Sequence, residues 1–226
     1  MTRTKWLALS LGHSMSEIVG LLEKQQFFRG KASGLELIDV QRNRIRGKFI
    51  EEIVTNELVI DPFGEEILNK VRRYSIFEFQ ITPLAKKQFL IRINNPPRSL
   101  KNFIGILSDA FGFGFAIESP SIDIIAMLQY LRKLGSIKRL TIRKVRMANI
   151  ALSGSSIAKI EVVSDVDAYQ DLQKSMDIKK ATLERATVVF KDEGMTGEIE
   201  LVSTGVISGD IDVLDRLMPA FQAYFS

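Results

Sequence analysis

YSIFEFQITPLAKKQFLIRINNPPRSLKNFIGILSDAF, residues 74–111, reads as strand, turn, strand, loop and helix without interruption. Ser75, Phe77, Phe79 and Ile81 fall on alternate positions, so one strand face takes all four; Tyr74, Ile76, Glu78 and Gln80 take the other. Pro83 to Lys87 supplies the turn, and the return strand points Phe89, Ile91 and Ile93 inward with Arg92 and Asn94 outward. Asn94-Asn95-Pro96-Pro97 stops that strand, because each proline lacks an N–H and fixes φ. Ser99 is then placed to cap a helix whose apolar stripe is Leu100, Phe103, Ile104, Leu107 and Phe111.

The same order recurs between Leu183 and Tyr224. Ala186 to Phe190 is a β-branched run, Asp192-Glu193-Gly194 a turn, and Ile199 and Leu201 alternate with Glu198 and Glu200. Thr204 to Gly209 reads as the loop and Asp210 as the N-cap of a stripe of Ile211, Leu214, Leu217, Met218 and Phe221. Pro219 is expected to kink or shorten that helix. Long basic strand-like runs, Leu37 to Ile50 and Leu140 to Leu152, precede the two hairpins. The predicted fold is therefore α+β, in two related halves, 1–134 and 135–226, the second a divergent repeat of the first. Each half is an antiparallel sheet with a strand–turn–strand–helix unit, packed by amphipathic helices. The identity between copies is low, and two independent uses of a common local arrangement remain the alternative.

Further elements follow from local chemistry. Lys5 to Leu11 reads as a strand and about Ser16 to Lys24 as a short helix. Leu35 to Ile50 reads as one strand through a bulge, Glu57 to Ile60 as another, Asp61-Pro62-Phe63-Gly64 as a turn, and Glu65 to Lys70 as a helical turn or hairpin flank. Ser119-Pro120 is placed to open a helix ending near Gly135, and Asp165 to cap a later one. Leu140 and Ile142 share one parity, Val145 and Met147 the other, which predicts a bulge near Arg143-Lys144.

With 226 residues, 46% hydrophobic and 26% charged, the chain has the composition of a folded protein. It has no cysteine, which excludes disulfides, zinc thiolates and thiol nucleophiles and fits a cytoplasmic location. The apolar run Trp6 to Leu11 is short for a signal peptide, and no run reaches the roughly 20 residues of a membrane helix. The net charge of +4 is uneven: residues 1–134 carry 19 Lys/Arg against 14 Asp/Glu, and 135–226 carry 12 against 13. A polyanion is thus expected to favour the first half and the start of the second.

Arg42, Arg44, Arg46 and Lys48 alternate and would share one face about 6–7 Å apart. Such a row repels itself unless it meets anions, and phosphates would serve. The competing expectation is a solvated face paired with Glu51, Glu52, Glu57 or Glu66. Arg143, Lys144 and Arg146, in the run that begins at Lys138, invite the same two readings. Phe111-Gly112-Phe113-Gly114-Phe115 departs from the RNA-recognition signature at its basic, aliphatic and final aromatic positions. It is expected to serve close packing, with its phenylalanines in the core. His13, the one histidine, reads as a loop residue, and the acids at 165, 167, 171, 210, 212 and 215 read as helix caps and dipole partners. No Walker loop or dinucleotide fingerprint is present.

The first expectation is a non-enzymatic binding protein, with Arg42, Arg44, Arg46, Lys48, Arg143, Lys144 and Arg146 contacting nucleic acid phosphates and reading little sequence. The alternative is an adaptor or structural subunit that binds a protein through an exposed sheet edge or the Phe27-Phe28 loop. An enzyme assembled from scattered acids ranks last. No catalytic residues, cofactor or metal are expected, and no membrane; the oligomeric state is not readable.

Overall fold

The computed structural model describes residues 1–85, 87–133, 139–152, 155–178, 180–192 and 195–225. Leu134 and Gly135, where the halves were expected to divide, lie outside the described residues, as do Lys138 and the turn at Glu193-Gly194. In chain order the elements are β1 (Thr2–Ser10), α1 (Met15–Glu23), β2 (Ser33–Gln41), β3 (Arg44–Ile60), β4 (Glu66–Ala85), β5 (Gln88–Asn94), α2 (Lys101–Phe111), β6 (Ala116–Glu118) and α3 (Ile124–Lys133). They continue as β7 (Arg139–Ala151), β8 (Ile157–Val163), α4 (Ala168–Ser175), β9 (Thr182–Asp192), β10 (Met195–Val202), β11 (Val206–Gly209) and α5 (Ile211–Phe225). The fold is mixed α+β with antiparallel strand pairing, and the chain divides into two compact units, Leu9–Ile117 and Met1–Ala8 with Glu118–Ser226.

In the unit Leu9–Ile117 the strands lie in the order β2-β3-β4-β5, each antiparallel to its neighbour. The single strand expected from Leu35 to Ile50 is a hairpin: Arg42-Asn43 turns the chain, and β2 pairs back on β3 with Gln41 opposite Arg44. The irregularity lies at Ile38, between Leu37 and Asp39. Glu57 to Ile60 continues β3 rather than forming a separate strand. Alternation on β3 is strict where a core exists: Ile45, Gly47 and Phe49 are buried, and Arg44, Arg46 and Lys48 take the opposite face. Phe103 of α2 closes that core. Its ring lies 5.6 Å from Phe49, 5.3 Å from Phe77 and 5.3 Å from Phe79, centroid to centroid. The α2 stripe was expected to start at Leu100 behind a Ser99 cap; the helix starts at Lys101 with Leu100 at the N-cap position and no side-chain cap, and Ser99 Oγ, one residue further out, accepts the Lys101 N–H at 3.3 Å. Ser14, not Ser16, opens α1, in a reciprocal capping box with Glu17. Arg92, expected outward, is only 5% exposed, and its Nε donates to Asn94 Oδ1 at 2.9 Å.

In the other unit the order is β1-β11-β10-β9-β7-β8. The expected bulge is present: Ile142 pairs Val188 and Lys144 pairs Thr187, leaving Arg143 as the extra residue. Part of the loop expected from Thr204 to Gly209 is strand β11, whose four residues are all buried. Asp210 accepts the Asp212 N–H at 3.1 Å, as a cap should. Pro219 does not shorten α5, which runs on to Phe225 and buries Phe221 completely. Tertiary packing there outweighs one lost backbone hydrogen bond. α3 opens at Ile124 instead of Ser119-Pro120, with Asp123 Oδ1 accepting the Ala126 N–H. Asp167 rather than Asp165 caps α4, accepting from Tyr169 and Gln170. Among the described residues no helix is long and apolar enough to cross a membrane.

Candidate functional site

Two features stand out from ordinary surface: the outer faces that carry the cations, and the distal part of the β3/β4 hairpin.

Arg42 is in the β2–β3 turn, so the row of cations on one strand face is Arg44, Arg46 and Lys48. Each meets acid. Arg44 Nη2 lies 2.7 Å from Asp39 Oδ2, and Arg46 Nη2 3.5 Å from Glu78 Oε2. Lys48 stands in register between Glu36 on β2 and Glu78 on β4. None of Glu51, Glu52, Glu57 and Glu66 pairs with this row. Glu51 accepts from Asn102, Glu52 pairs with Arg72, and Glu57 pairs with Arg73.

The second basic run follows the same pattern. Arg143 reaches Asp165 at 2.9 Å, Lys144 reaches Glu161 at 2.7 Å, and Arg146 shares Glu184 with Lys159. Arg185, opposite Arg146 across the ladder, holds Glu200 at 3.2 Å. The Lys144 hydrogen bond, with the nearby Arg146 and Arg185 charges, holds the Glu161 carboxyl below the usual glutamate range. A group with a depressed folded pKa contributes stability above its unfolded value and loses it as pH falls through the folded one. The Lys144–Glu161 pair therefore persists into more acidic solution than an isolated glutamate would allow. Both basic runs are thus checkerboards of opposite charge.

The β3/β4 hairpin outruns its sheet. β2 covers β3 only as far as Glu51, and β5 covers β4 only from Phe79 onward. Beyond those limits β3 and β4 still pair with each other, rung by rung, to Ile60 opposite Glu66. The result is a two-stranded arm with a free edge on either side. Every residue from Ile53 to Ile60 is exposed. Side chains on both faces lack a core to pack against, yet many are apolar. Leu58 is 57% exposed, Leu68 65%, Ile60 65% and Phe63, at the tip, 91%. Asp61 Oδ1 fixes that tip by accepting from Phe63 N and Glu65 N, both at 2.8 Å. Phe27 packs edge-on against Tyr74 near the root, and Phe28 stays exposed under the Lys31 ammonium. Sequence reading singled out the Phe27-Phe28 loop and placed the strand, turn and hairpin flank of the arm's distal end, but not its continuity with β3 and β4 or its exposure. The run Glu57–Ile60 read as an isolated strand because Ile53, Val54, Leu58 and Val59 do not alternate with polar residues.

His13 lines a cleft of about 480 Å³ with Leu11, Lys87, Phe111 and Phe113. The phenylalanines of residues 111–115 do not all enter the core: Phe111 is buried, and Phe113 stands in solvent between Gly112 and Gly114, both at positive φ. Asp171 accepts from Ser164 Oγ at 2.6 Å. Among the described residues, no three of the histidine, aspartate and glutamate side chains converge as metal ligands. Compared with protein-family models and with curated proteins, the chain matches none.

Proposed function

We propose that this chain is a non-enzymatic binding protein of the cytoplasm, an adaptor or structural subunit that docks a protein partner through the β3/β4 arm. The observation that supports this reading is the arm itself: eight successive exposed residues on β3, paired to a β4 segment equally free of a core, with Leu58, Ile60, Phe63 and Leu68 in water. Soluble monomers rarely leave such contiguous apolar surface uncovered, and two free edges add unpaired backbone donors and acceptors. Replacing Leu58 with the photoreactive residue p-benzoylphenylalanine tests it. Irradiation in a native extract is expected to give one discrete adduct. The same residue at Val166, 76% exposed in the other unit, is expected to give none. Equal labelling from both positions would remove the arm from consideration.

A second reading keeps the cations as phosphate contacts, supported by the net charge of +4 and by the turn position of Arg42. Under it, labelled single- or double-stranded nucleic acid binds with an affinity that falls steeply with salt, and Arg42/Arg44/Arg46→Glu abolishes the binding. The acids interleaved on both faces favour the opposite result: binding no tighter than about 10⁻⁴ M at physiological salt, unaffected by the triple change. Fluorescence polarisation at two salt concentrations separates the two. The duplication remains part of this proposal, supported by the hairpin-then-helix order of β4-β5-α2 and β9-β10-α5, the second carrying β11 as an added strand.

A further inference from the structure

We infer that the arm face bearing Leu58 and Leu68 packs on the same face of a second copy of this chain, with the two-fold axis through that rung. The inference rests on the reading of the arm as a docking element and names its partner.

Leu58 and Leu68 are direct cross-strand neighbours. A two-fold contact sets residues at the axis against their own copies and residues on one side against those on the other. On β4, Glu66 lies two residues before Leu68 and Lys70 two residues after, all three on one face. An antiparallel, face-to-face pair of arms therefore sets Glu66 of one copy against Lys70 of the other, and does so twice. Within one chain these two side chains are about 13 Å apart along the strand, too far to meet. Neither makes an ion pair among the described residues, whereas the next cations along the strand are satisfied internally, Arg72 by Glu52 and Arg73 by Glu57. At the same register, Val54 of one copy lies opposite the tip of the other, where Phe63 is exposed. Pairing edge to edge would leave Leu58 and Leu68 in water; only the face covers them. A ribbon about 25 Å long falls below the ~800 Å² per partner of a standard interface, so the dimer is weak and concentration-dependent.

Sedimentation velocity on the full chain, from about 1 to 200 μM, is expected to show reversible dimerisation at the upper end. Lys70→Glu, which sets like charges together twice, is expected to weaken it at least about 10-fold, and the swap Lys70→Glu/Glu66→Lys to restore it to within about 3-fold. The chain has no cysteine, so Leu68→Cys alone is expected to be joined into a covalent dimer by a short bis-maleimide, whose reach matches the roughly 10 Å between facing sheets, while Val166→Cys stays monomeric. Circular dichroism confirms that each variant is folded. A wild type that stays monomeric at every concentration, or a swap no better than the single reversal, overturns the inference. If such a monomer still gives a Leu58 photo-adduct with a different protein, the docking reading stands without its self-partner. If it gives no adduct, both fall.

Discussion

Phe103→Ala is expected to destabilise the Leu9–Ile117 unit by about 4 kcal/mol, within the range for a buried phenylalanine truncated to alanine. Phe103 is 1% exposed, and its ring meets Phe49, Phe77 and Phe79 at centroid distances between 5.3 and 5.6 Å. Among the described residues it is the α2 ring that meets rings of both β3 and β4, so its loss leaves a cavity bordered by three rings. Those rings cannot all collapse into the space, because Phe49 and Phe77 also pack on each other at 5.1 Å. Urea denaturation measures the loss, and thermal melting should show a midpoint lower by about 10 °C. Phe103→Leu, which keeps most of the volume, should cost about 1–1.5 kcal/mol. A loss below about 1 kcal/mol for the alanine variant would show that α2 is not what closes this core.

The legibility of the fold followed the presence of a core. Ser75 to Ile93 was readable because one face of β4 and β5 packs against α2, so the alternation of Phe77, Phe79, Ile81, Phe89, Ile91 and Ile93 is imposed by burial. The bulge at Arg143 was readable for the same reason: a residue inserted into a half-buried strand shifts the parity of every apolar neighbour. β11 was not readable, since a strand buried on both faces has no alternation to show, and Val206 to Gly209 has none. The arm failed from the opposite side: with no core on either face, nothing selects an alternating pattern. The Arg42-Asn43 turn lacked the glycine that usually marks a two-residue hairpin.

The cations show a different limit. Their faces were legible from spacing, but their neutralisation was not. Arg46 finds Glu78 from the next strand, and Lys144 finds Glu161 across a hairpin. Those partners depend on register, which no local window contains. A row of like charge in sequence is therefore weak support for a polyanion site until the facing strand is known.

Gly47→Ala and Gly20→Ala are expected to change stability in opposite directions, although the substitution is the same. A methyl at Gly47 would stand 2.8 Å from Phe79 Cζ and 2.9 Å from the Glu36 carbonyl oxygen. Phe79 is the cross-strand partner of Gly47, and its ring lies over the bare backbone, supplying the cover that the glycine lacks. The ring also packs on Phe103, at 5.3 Å between centroids, which limits how far it can yield. Gly47→Ala should therefore cost about 2 kcal/mol despite alanine's lower backbone entropy, and Gly47→Val about 3 kcal/mol or more. At Gly20, inside α1, an added methyl meets nothing within 4 Å, so Gly20→Ala should gain about 0.5–1 kcal/mol. The other unit uses the same device with the strands exchanged: Gly197 of β10 lies under Phe190 of β9, where a methyl would stand 2.6 Å from Cζ. A double-mutant cycle identifies the cause. In a Phe79→Leu background the Gly47→Ala penalty should shrink by about 1 kcal/mol, since the obstructing ring is gone. An unchanged penalty would place the obstruction at the Glu36 carbonyl instead. Gly47 lies between Arg46 and Lys48, so a methyl that displaces β3 there also moves Arg46 relative to Glu78.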